Sequence, residues 1–276
     1  MSRVAVVTGS NKGIGLSIVR GLLTQFKGTV YLTSRDAKRG NEAVKLLNSE
    51  GLKPKFHQLD VTNNASVTKL KEYLIQNYGG VDVFIHNAGI MYGSSDNVSF
   101  AEGAKNTIQT NYLASVNICN TILPIMRSHG RLVLLSSMLS LSAFRNCSTQ
   151  NQNFFKSPDL TEQALTEKML EYVEAAQTGQ HRDKGFSNDS YGMSKLGVNV
   201  LVKLLGNRAC QLEAQNVLVN CCCPGWVNTQ MGGKRAPLTP DQGARIPIML
   251  GLIPINDSEP NGKFLKDFKV VDWSNV

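Results

Sequence analysis

A tyrosine and a lysine four residues apart are the pair in this sequence best suited to chemistry. They lie in the segment Tyr191-Gly-Met-Ser-Lys195. Side chains at this spacing share one face of a helix. A neighbouring ammonium favours the phenolate, so it lowers the pKa of a tyrosine from its ordinary value of about 10 toward a working range. The pair predicts an acid–base centre in which Tyr191 exchanges a proton with a substrate.

A glycine-rich turn near the N-terminus predicts a dinucleotide site. It follows a short apolar strand and precedes an amphipathic helix. Glycines here permit a tight turn and close backbone approach, and the N–H groups of the following helix can bind a pyrophosphate. Glycines alone also suit an ordinary turn, but their place between strand and helix favours the nucleotide. The expected cofactor contacts are Gly9, Asn11, Lys12, Gly13, Ile14 and Gly15. A bound dinucleotide and an acid–base pair together indicate a redox enzyme.

The end of the second strand bears on which nicotinamide cofactor binds. An NAD site places Asp or Glu there, about 20 residues beyond the glycines, to bind the ribose hydroxyls. Ser34 takes that place and Arg35 follows it. Arg35 and Lys12 suit the 2′-phosphate of NADP through charge-assisted hydrogen bonds. Asp36 keeps NAD open, because an error of one residue in the strand end would reverse the prediction. Arg35 and Lys12 also suit an ordinary solvated surface.

Three further segments follow predicted strands, at the edge where open parallel sheets bind ligands. Asp60 is placed to accept a hydrogen bond from the adenine amino group, or to cap a helix. Small residues after the fourth strand allow the backbone to approach the nucleotide, and the turn after the sixth strand can enclose the nicotinamide. The expected cofactor contacts at this edge are Asp60, Val61, Asn87, Ala88, Gly89, Pro224, Gly225, Val227 and Thr229.

Ser137 ends the fifth strand at the same edge. A hydroxyl there can hydrogen-bond a substrate carbonyl and its developing negative charge. Serine at a strand end is common, so this interpretation depends on Tyr191 lying nearby.

The elements that must position these residues alternate between strand and helix. Apolar strands alternating with amphipathic helices are typical of a parallel sheet covered on both faces. The predicted fold is an α/β, doubly wound Rossmann-type sheet, in one domain spanning residues 1–276. Strands are expected at 4–8, 29–33, 55–59, 81–86, 131–135, 217–222 and 262–265, and helices at 14–25, 37–50, 65–77, 100–123 and 191–211.

Residues 138–190 interrupt this alternation. The segment is polar at residues 146–153 and holds one amphipathic stretch, with Leu165, Met169 and Ala176 at helical spacing after Thr161 as a possible cap. Two interpretations remain open: a solvent-exposed excursion, or a flap that shapes the substrate pocket or blocks an interface.

Composition excludes several other classes of protein. The 276 residues are 42% apolar, and 29 basic against 21 acidic side chains give a net charge of +8. The charge is scattered rather than clustered, which argues against a nucleic-acid binder. No apolar stretch approaches the ~20 residues that span a bilayer. Six cysteines show no metal-ligand spacing or disulfide framework, and the first residues run directly into a strand. We therefore expect a cytoplasmic protein without a metal, a leader segment or a membrane partner.

These motifs together resemble the short-chain dehydrogenase/reductase family along essentially the whole chain. The resemblance is carried, in the family's order, by Thr8–Gly15, Asn87-Ala88-Gly89, Asn111, Ser137, Tyr191-x-x-x-Lys195 and Pro224-Gly225. Within the family, the long gap before Tyr191 is most similar to the monomeric NADPH-dependent carbonyl reductases, in which such an insertion covers the surface through which many relatives assemble. His86, Leu134-Leu135 and Cys221 depart from the usual pattern.

The resemblance implies NADPH/NADP⁺ as cofactor and a division of roles. Tyr191 would be the general acid, and Lys195 would lower its pKa and bind the nicotinamide ribose. Ser137 would hold the carbonyl oxygen, and Asn111 would position a water. Substrates would be aldehydes, ketones and quinones, with Ser137, Tyr191, Met138, Trp226 and Met231 around them, and Cys223 near glutathione adducts. The alternatives are a dedicated steroid, prostaglandin or pterin enzyme and a non-catalytic NADP-binding scaffold.

Overall fold

Eight strands form one sheet in the computed structural model, which describes residues 2–92, 96–210 and 216–275. The strand order is β3-β2-β1-β4-β5-β6-β7-β8, parallel throughout except for the antiparallel pair β7 and β8. This is the doubly wound Rossmann arrangement that the sequence predicts. The strands are β1 Val4–Val7, β2 Thr29–Ser34, β3 Lys55–Gln58, β4 Val81–His86, β5 Met126–Leu135, β6 Leu218–Cys222, β7 Phe264–Lys266 and β8 Lys269–Val271.

Helices cover both faces of the sheet. They are α1 Gly13–Gln25, α2 Ala37–Ser49, α3 Asn64–Tyr78, α4 Phe100–Thr107, α5 Ala114–Ile122, α6 Leu139–Arg145, α7 Thr149–Lys156, α8 Glu162–Gln177, α9 Ser190–Cys210 and α10 Pro240–Gly251. A π-helical turn, Ile108–Leu113, joins α4 to α5, and a 3₁₀ turn, Leu123–Ile125, precedes β5. No helix in the described ranges combines the length and apolar character needed to cross a membrane.

The first strand shows how one sheet buries two apolar layers. Side chains alternate between the faces of a strand. In β1, Val4 and Val6 pack with the α3, α5 and α9 side of the sheet, whereas Ala5 and Val7 pack with the α1 and α10 side. All four are fully buried. A four-residue apolar run therefore serves as the central strand of a sheet that is covered on both faces.

Most predicted boundaries agree with the structure within one or two residues, and the differences have physical causes. Strand β5 begins at Met126 rather than at residue 131. A register shift between Val81 and Val83 of β4 lets Met126 pair with Val81, before the regular pairing that begins at Arg131. Strand β8 and helix α10 were not predicted. Helix α10 has a capping box at Thr239 and a proline at its first position, signals that favour a helix start. The predicted last residue of the helix at 191–211, Gln211, lies outside the described residues.

The segment before Tyr191 forms three helices rather than one amphipathic stretch. Thr161 caps α8 as predicted, and Ser148 caps the polar helix α7. Helix α6 packs along α9, and α8 packs against α4 and α9. Leu165, Met169 and Tyr172 of α8 are fully buried. The segment is therefore a packed layer over α9 and not a solvent-exposed excursion.

Candidate active site

Lysine 195 is buried at the carboxyl edge of the sheet. Only 5% of the residue is exposed. Its Nζ donates a hydrogen bond of 2.8 Å to Leu135 O, the last carbonyl of β5, and lies 5.7 Å from the centroid of the Tyr191 ring. Burial disfavours the ammonium and lowers the pKa of Lys195 to about 8, while the neighbouring thiols of Cys221, Cys223 and Cys222 oppose this effect.

Tyrosine 191 lies one helical turn from Lys195 and hydrogen-bonds the Ser137 side chain. Burial raises its pKa well above the ordinary value because the phenolate would be desolvated, and Cys223 and Asp189 act in the same direction. The Ser137 hydrogen bond opposes them. The sequence predicted that Lys195 would set this pKa at a lower value. In the structure burial has the larger influence.

Asparagine 111 lies in the π-helical turn, a feature often found at functional sites. Its Oδ1 accepts the N–H of Ile90 at 2.8 Å, and its Nδ2 donates to Ile90 O at 2.8 Å and to Ser194 Oγ at 3.0 Å. The amide therefore joins the chain after β4 to helix α9. A Cβ built on Gly89 would lie 3.1 Å from Asn111 Oδ1 and 3.5 Å from Lys195 Nζ. Gly89 thus keeps space beside both groups.

The glycine turn after β1 has the geometry of a nucleotide cradle. Gly9 and Gly13 have φ angles of 59° and 57°, in the left-handed region that glycine tolerates. A Cβ on Gly9 would lie 2.9 Å from Ala88 Cα, and one on Gly15 would lie 2.5 Å from Asn87 Nδ2. Helix α1 begins at Gly13, so its first N–H groups face this turn. These observations fit a pyrophosphate lying against the backbone.

Histidine 86, a departure from the family pattern, stabilises the same turn. Thr8 Oγ1 accepts the N–H groups of Asn87 and Ala88, both at 3.0 Å. Its own hydrogen is therefore available to His86 Nδ1, 2.9 Å away. Burial, and secondarily Lys195, lowers the pKa of His86 to about 3. The ring is neutral and forms part of the support under the glycine turn.

A cleft of about 530 Å³ lies at the ends of β2 and β3. Strand β2 ends at Ser34, and the carboxylate of Asp36 caps α2 by accepting the Arg39 N–H at 2.9 Å. Asp36 is therefore not the residue at the strand end. Asn63 caps α3, so Asp60 is not its cap; Asp60 Oδ1 accepts from Thr62 N and Oγ1. The cleft is lined by Arg35, His57, Gln58, Asp60, Asn63, Ala65, Ser66 and Lys69.

Lysine 12 lies at the other side of the glycine turn. Its Nζ donates to Gln230 Oε1 at 2.5 Å, and it does not line the Arg35 cleft. Thr229 is adjacent, because a Cβ built on Gly13 would lie 3.3 Å from Thr229 Cγ2. The loop after β6 therefore touches the glycine turn directly. Of the other residues predicted to contact the cofactor, Asn11, Ile14, Pro224 and Gly225 are partly exposed, whereas Val61 and Val227 are buried.

Apolar side chains with large exposed surfaces lie on the segments around Tyr191. Trp226 is 57% exposed, with its indole N–H bound to Gly232 O at 2.8 Å, and Met231 is 42% exposed. Met138 is half-buried beside Ser137 and packs against the core. Tyr92 and Leu139 are also exposed, and neither is among the substrate contacts that the sequence predicts. The motifs could have pointed to them, since Tyr92 follows Asn87-Ala88-Gly89 closely and Leu139 follows Ser137.

Cys223 lies after β6 and near Tyr191. Cys223 is 5% exposed and its Sγ accepts the Gly225 N–H at 3.4 Å. Its thiol is close enough to Tyr191 to raise the pKa of the phenol. Across the described part of the chain, no three His, Cys, Asp or Glu side chains form a cluster that could hold a metal ion.

Comparison with known proteins gives the same family that the motifs indicate. The short chain dehydrogenase model matches residues 3–149. Human carbonyl reductase (NADPH) 3 is 45% identical over 273 residues, covering 99% of each chain, and rat carbonyl reductase (NADPH) 1 is 43% identical over 271 residues, covering 98% of each. The structure of salutaridine reductase from Papaver somniferum superposes with a TM-score of 0.83 at 26% identity, covering 95% of this chain and 99% of that one. The chain belongs to the short chain dehydrogenase family.

Proposed function

We propose that this protein is an NADPH-dependent carbonyl reductase. The observation that carries the proposal is the group formed by Tyr191, Ser137 and the buried Lys195, at the sheet edge that also carries the glycine turn. Full-length similarity to carbonyl reductases (NADPH) supports the same activity and the same cofactor. The product would be an alcohol, or a hydroquinone where the substrate is a quinone.

The residues present fit NADPH. The left-handed glycines and the start of α1 would hold the pyrophosphate, and Arg35 would bind the 2′-phosphate in the cleft that Asp60 also lines. Ser34 in place of an acidic residue leaves room for that phosphate. Lys12 would also bind this phosphate, once its hydrogen bond to Gln230 is broken. When bound, the cofactor supplies a hydride to the carbonyl carbon.

Tyr191 would supply the proton that completes the reduction. Its O–H donates to the carbonyl oxygen as the C=O bond becomes C–O–H, and Ser137 hydrogen-bonds the same oxygen while negative charge develops on it. The phenol is protonated before the reaction, as an ordinary tyrosine with a pKa of about 10 is near neutral pH, and burial raises its pKa further. Lys195 would bind the nicotinamide ribose, and its ammonium would stabilise the phenolate that remains after the proton transfer. Asn111 would contribute a polar path from Lys195 toward solvent.

The substrate class would be aldehydes, ketones and quinones with flat apolar bodies. Trp226, Met231, Met138, Leu139 and Tyr92 offer apolar surface on the segments near Tyr191. A glutathione adduct beside Cys223 is a further substrate type suggested by the resemblance. A dedicated steroid, prostaglandin or pterin reductase is the alternative on the same fold, and a non-catalytic NADP-binding scaffold is a weaker one, since a scaffold needs no Ser137–Tyr191–Lys195 group.

The insertion supports two further parts of the proposal. Helices α6 and α8 of the insertion pack against α9, where the insertion would act as a flap beside the substrate and would keep the protein monomeric. We infer a cytoplasmic enzyme that acts on small molecules and has no nucleic-acid or membrane partner. Size-exclusion chromatography with light scattering tests the monomer, and a dimer would contradict it.

The deciding experiment is NADPH oxidation measured with menadione, isatin and a prostaglandin, with NADH as the cofactor control. We expect turnover of menadione and isatin with NADPH and much weaker turnover with NADH. A strong preference for the prostaglandin would favour the dedicated reductase. Binding of NADPH without turnover of any compound would favour the scaffold.

A further inference from the structure

Three polar side chains share the face of α9 that is turned toward the end of β5. Tyr191, Lys195 and Asn199 are spaced four residues apart, which places them on one side of the helix. Tyr191 hydrogen-bonds the Ser137 side chain, and Lys195 Nζ donates to Leu135 O at 2.8 Å. Asn199 is 1% exposed, and the proposed reaction does not use it. A buried amide needs hydrogen-bond partners within the protein.

The Asn199 amide joins two serines that lie on either side of Ser137. Ser136 Oγ donates to Asn199 Oδ1 at 2.5 Å, and Asn199 Nδ2 donates to Ser140 Oγ at 2.8 Å. The thiol of Cys221 on β6 is a second donor to Asn199 Oδ1, at 3.4 Å. Ser136, Ser140 and Cys221 are all buried. Bulk water therefore does not compete for these hydrogen bonds.

Serine 140 passes this connection on to Ser137. Its N–H and its hydroxyl both donate to Ser137 O, at 3.1 Å and 2.6 Å. Because the hydroxyl hydrogen is used there, Ser140 Oγ acts toward Asn199 as an acceptor, which fixes which end of the amide faces it. Leu139 N donates to Ser137 Oγ at 3.2 Å. The turn that places the Ser137 hydroxyl is thus held on α9 by Asn199.

We propose that Asn199 is a positioning residue, which holds residues 136–140 on the helix that carries Tyr191 and so keeps the Ser137 hydroxyl within hydrogen-bond distance of the phenol. The inference rests on the proposed function, in which both hydroxyls meet one carbonyl oxygen. Misplacement of a reacting group by about 1 Å can cost ~10²-fold in rate. A side chain that touches neither substrate nor cofactor can therefore control turnover.

Two substitutions remove the amide. Asn199→Leu replaces it with an apolar group that keeps water out, and Asn199→Ala decides the outcome if Asn199→Leu fails to fold. Both serine hydroxyls keep an acceptor in these variants, because Ser140 Oγ donates to Ser137 O and Ser136 Oγ lies 3.2 Å from Lys195 O. The substitutions therefore loosen the connection to α9 without leaving a buried hydroxyl hydrogen unpaired.

The same two substitutions at Asn220 are the matched control. Asn220 on β6 is also 1% exposed, and its side chain points to the face of the sheet away from α9, since its neighbours on the strand pack with α9. Its amide donates to Pro260 O at 2.6 Å and accepts the Lys263 N–H at 3.1 Å. Loss of this amide tests whether reduced stability alone lowers turnover.

The first measurement is kcat for NADPH-dependent reduction of the carbonyl compound that the wild type reduces fastest, with all variants folded. We expect kcat to fall about tenfold or more in the Asn199 variants and to stay within about twofold in the Asn220 variants. The Kd for NADPH should change little. In a Ser137→Ala background, Asn199→Leu should lower kcat by less than about twofold, because its effect passes through the missing hydroxyl.

A second readout keeps the inference separate from turnover. Crystal structures of the wild type and the Asn199 variants give the distance from Ser137 Oγ to the Tyr191 hydroxyl. Loss of this hydrogen bond in the variants supports the inference even where the wild type turns over no carbonyl compound, an outcome that would count against the proposed function alone. An unchanged distance overturns it. In an active enzyme, so does an unchanged kcat, or a loss of kcat as large with Ser137→Ala as without it.

Discussion

At the scale of single residues, the site combines groups whose ionisation is set by burial. Desolvation lowers the pKa of Lys195 to about 8 and raises the pKa of Tyr191. Both shifts favour the neutral forms, as expected where water is excluded. A neutral phenol is the form needed to donate a proton to a carbonyl oxygen.

Removal of the Tyr191 hydroxyl tests the proposed proton donor. Tyr191→Phe should lower kcat for NADPH-dependent reduction by about 10²–10⁴-fold, the range for loss of a general acid. NADPH binding, measured by calorimetry, should change little, because the substitution removes one hydroxyl from the substrate side. Tyr73→Phe on α3, whose hydroxyl bonds Tyr31 at 2.7 Å, is the control. Ordinary turnover in Tyr191→Phe would rule out the assignment.

At the scale of elements, the glycine turn and the chain after β4 are in direct contact. The contact lets Thr8 Oγ1 bind the backbone of Asn87 and Ala88, and lets Asn87 Nδ2 bind Thr8 O at 3.0 Å and Gly9 O at 2.9 Å. The ends of β1 and β4 are thereby joined around the proposed pyrophosphate site. The need for close approach, and not only for a turn, explains the glycine at position 9.

Comparison of two left-handed glycines separates close approach from backbone strain. Gly9 and Gly51 have φ angles of 59° and 80°; a Cβ on Gly9 would lie 2.9 Å from Ala88 Cα, whereas one on Gly51 would meet nothing within 4 Å. Gly51→Ala should lower the free energy of unfolding by about 1–2 kcal/mol through strain alone. Gly9→Ala should cost a further ~1–3 kcal/mol through overpacking and weaken NADPH binding. Urea denaturation measures the free energy of unfolding of each variant. Equal losses in Gly9→Ala and Gly51→Ala would contradict this account.

At the scale of the whole molecule, a buried arginine joins segments that are far apart in the chain. Arg131 on β5 is 2% exposed. Its guanidinium donates to Ile253 O at 3.2 Å, Pro254 O at 2.7 Å and Asn216 O at 3.0 Å, besides its neighbour Gly130 O. These carbonyls follow α10 and precede β6. Backbone dipoles stabilise this charge, which burial disfavours and the nearby Asp257 carboxylate favours.

Replacement of Arg131 tests whether this connection stabilises the fold. Arg131→Met keeps most of the side-chain volume but leaves buried carbonyls without donors, and each such group costs about 1–3 kcal/mol. We expect a loss of at least ~3 kcal/mol in the free energy of unfolding, measured by urea denaturation. Arg235→Met, at an exposed arginine, should change it by less than ~0.5 kcal/mol. If Arg131→Met lost as little stability as Arg235→Met, the prediction would be wrong, and water would be replacing the guanidinium as hydrogen-bond donor.

Local sequence was sufficient for most of the elements and for placing the Tyr191–Lys195 pair on one helix. Strand β1, helix α1 with its glycines, and the Tyr191–Lys195 pair on α9 all follow from residue periods, turn chemistry and caps, which act within a few positions of the chain. The Thr161 cap of α8 is confirmed for the same reason.

Only the tertiary structure decided which groups meet at the sheet edge and in what environment. It joined the Asn111 amide to Ile90 and Ser194, and it brought Cys223 near Tyr191. It also raised the pKa of Tyr191 where the spacing predicted a lower one. Desolvation depends on every element packed around a group. A periodic pattern records the neighbours along the chain, and it cannot record how deeply the other elements bury them.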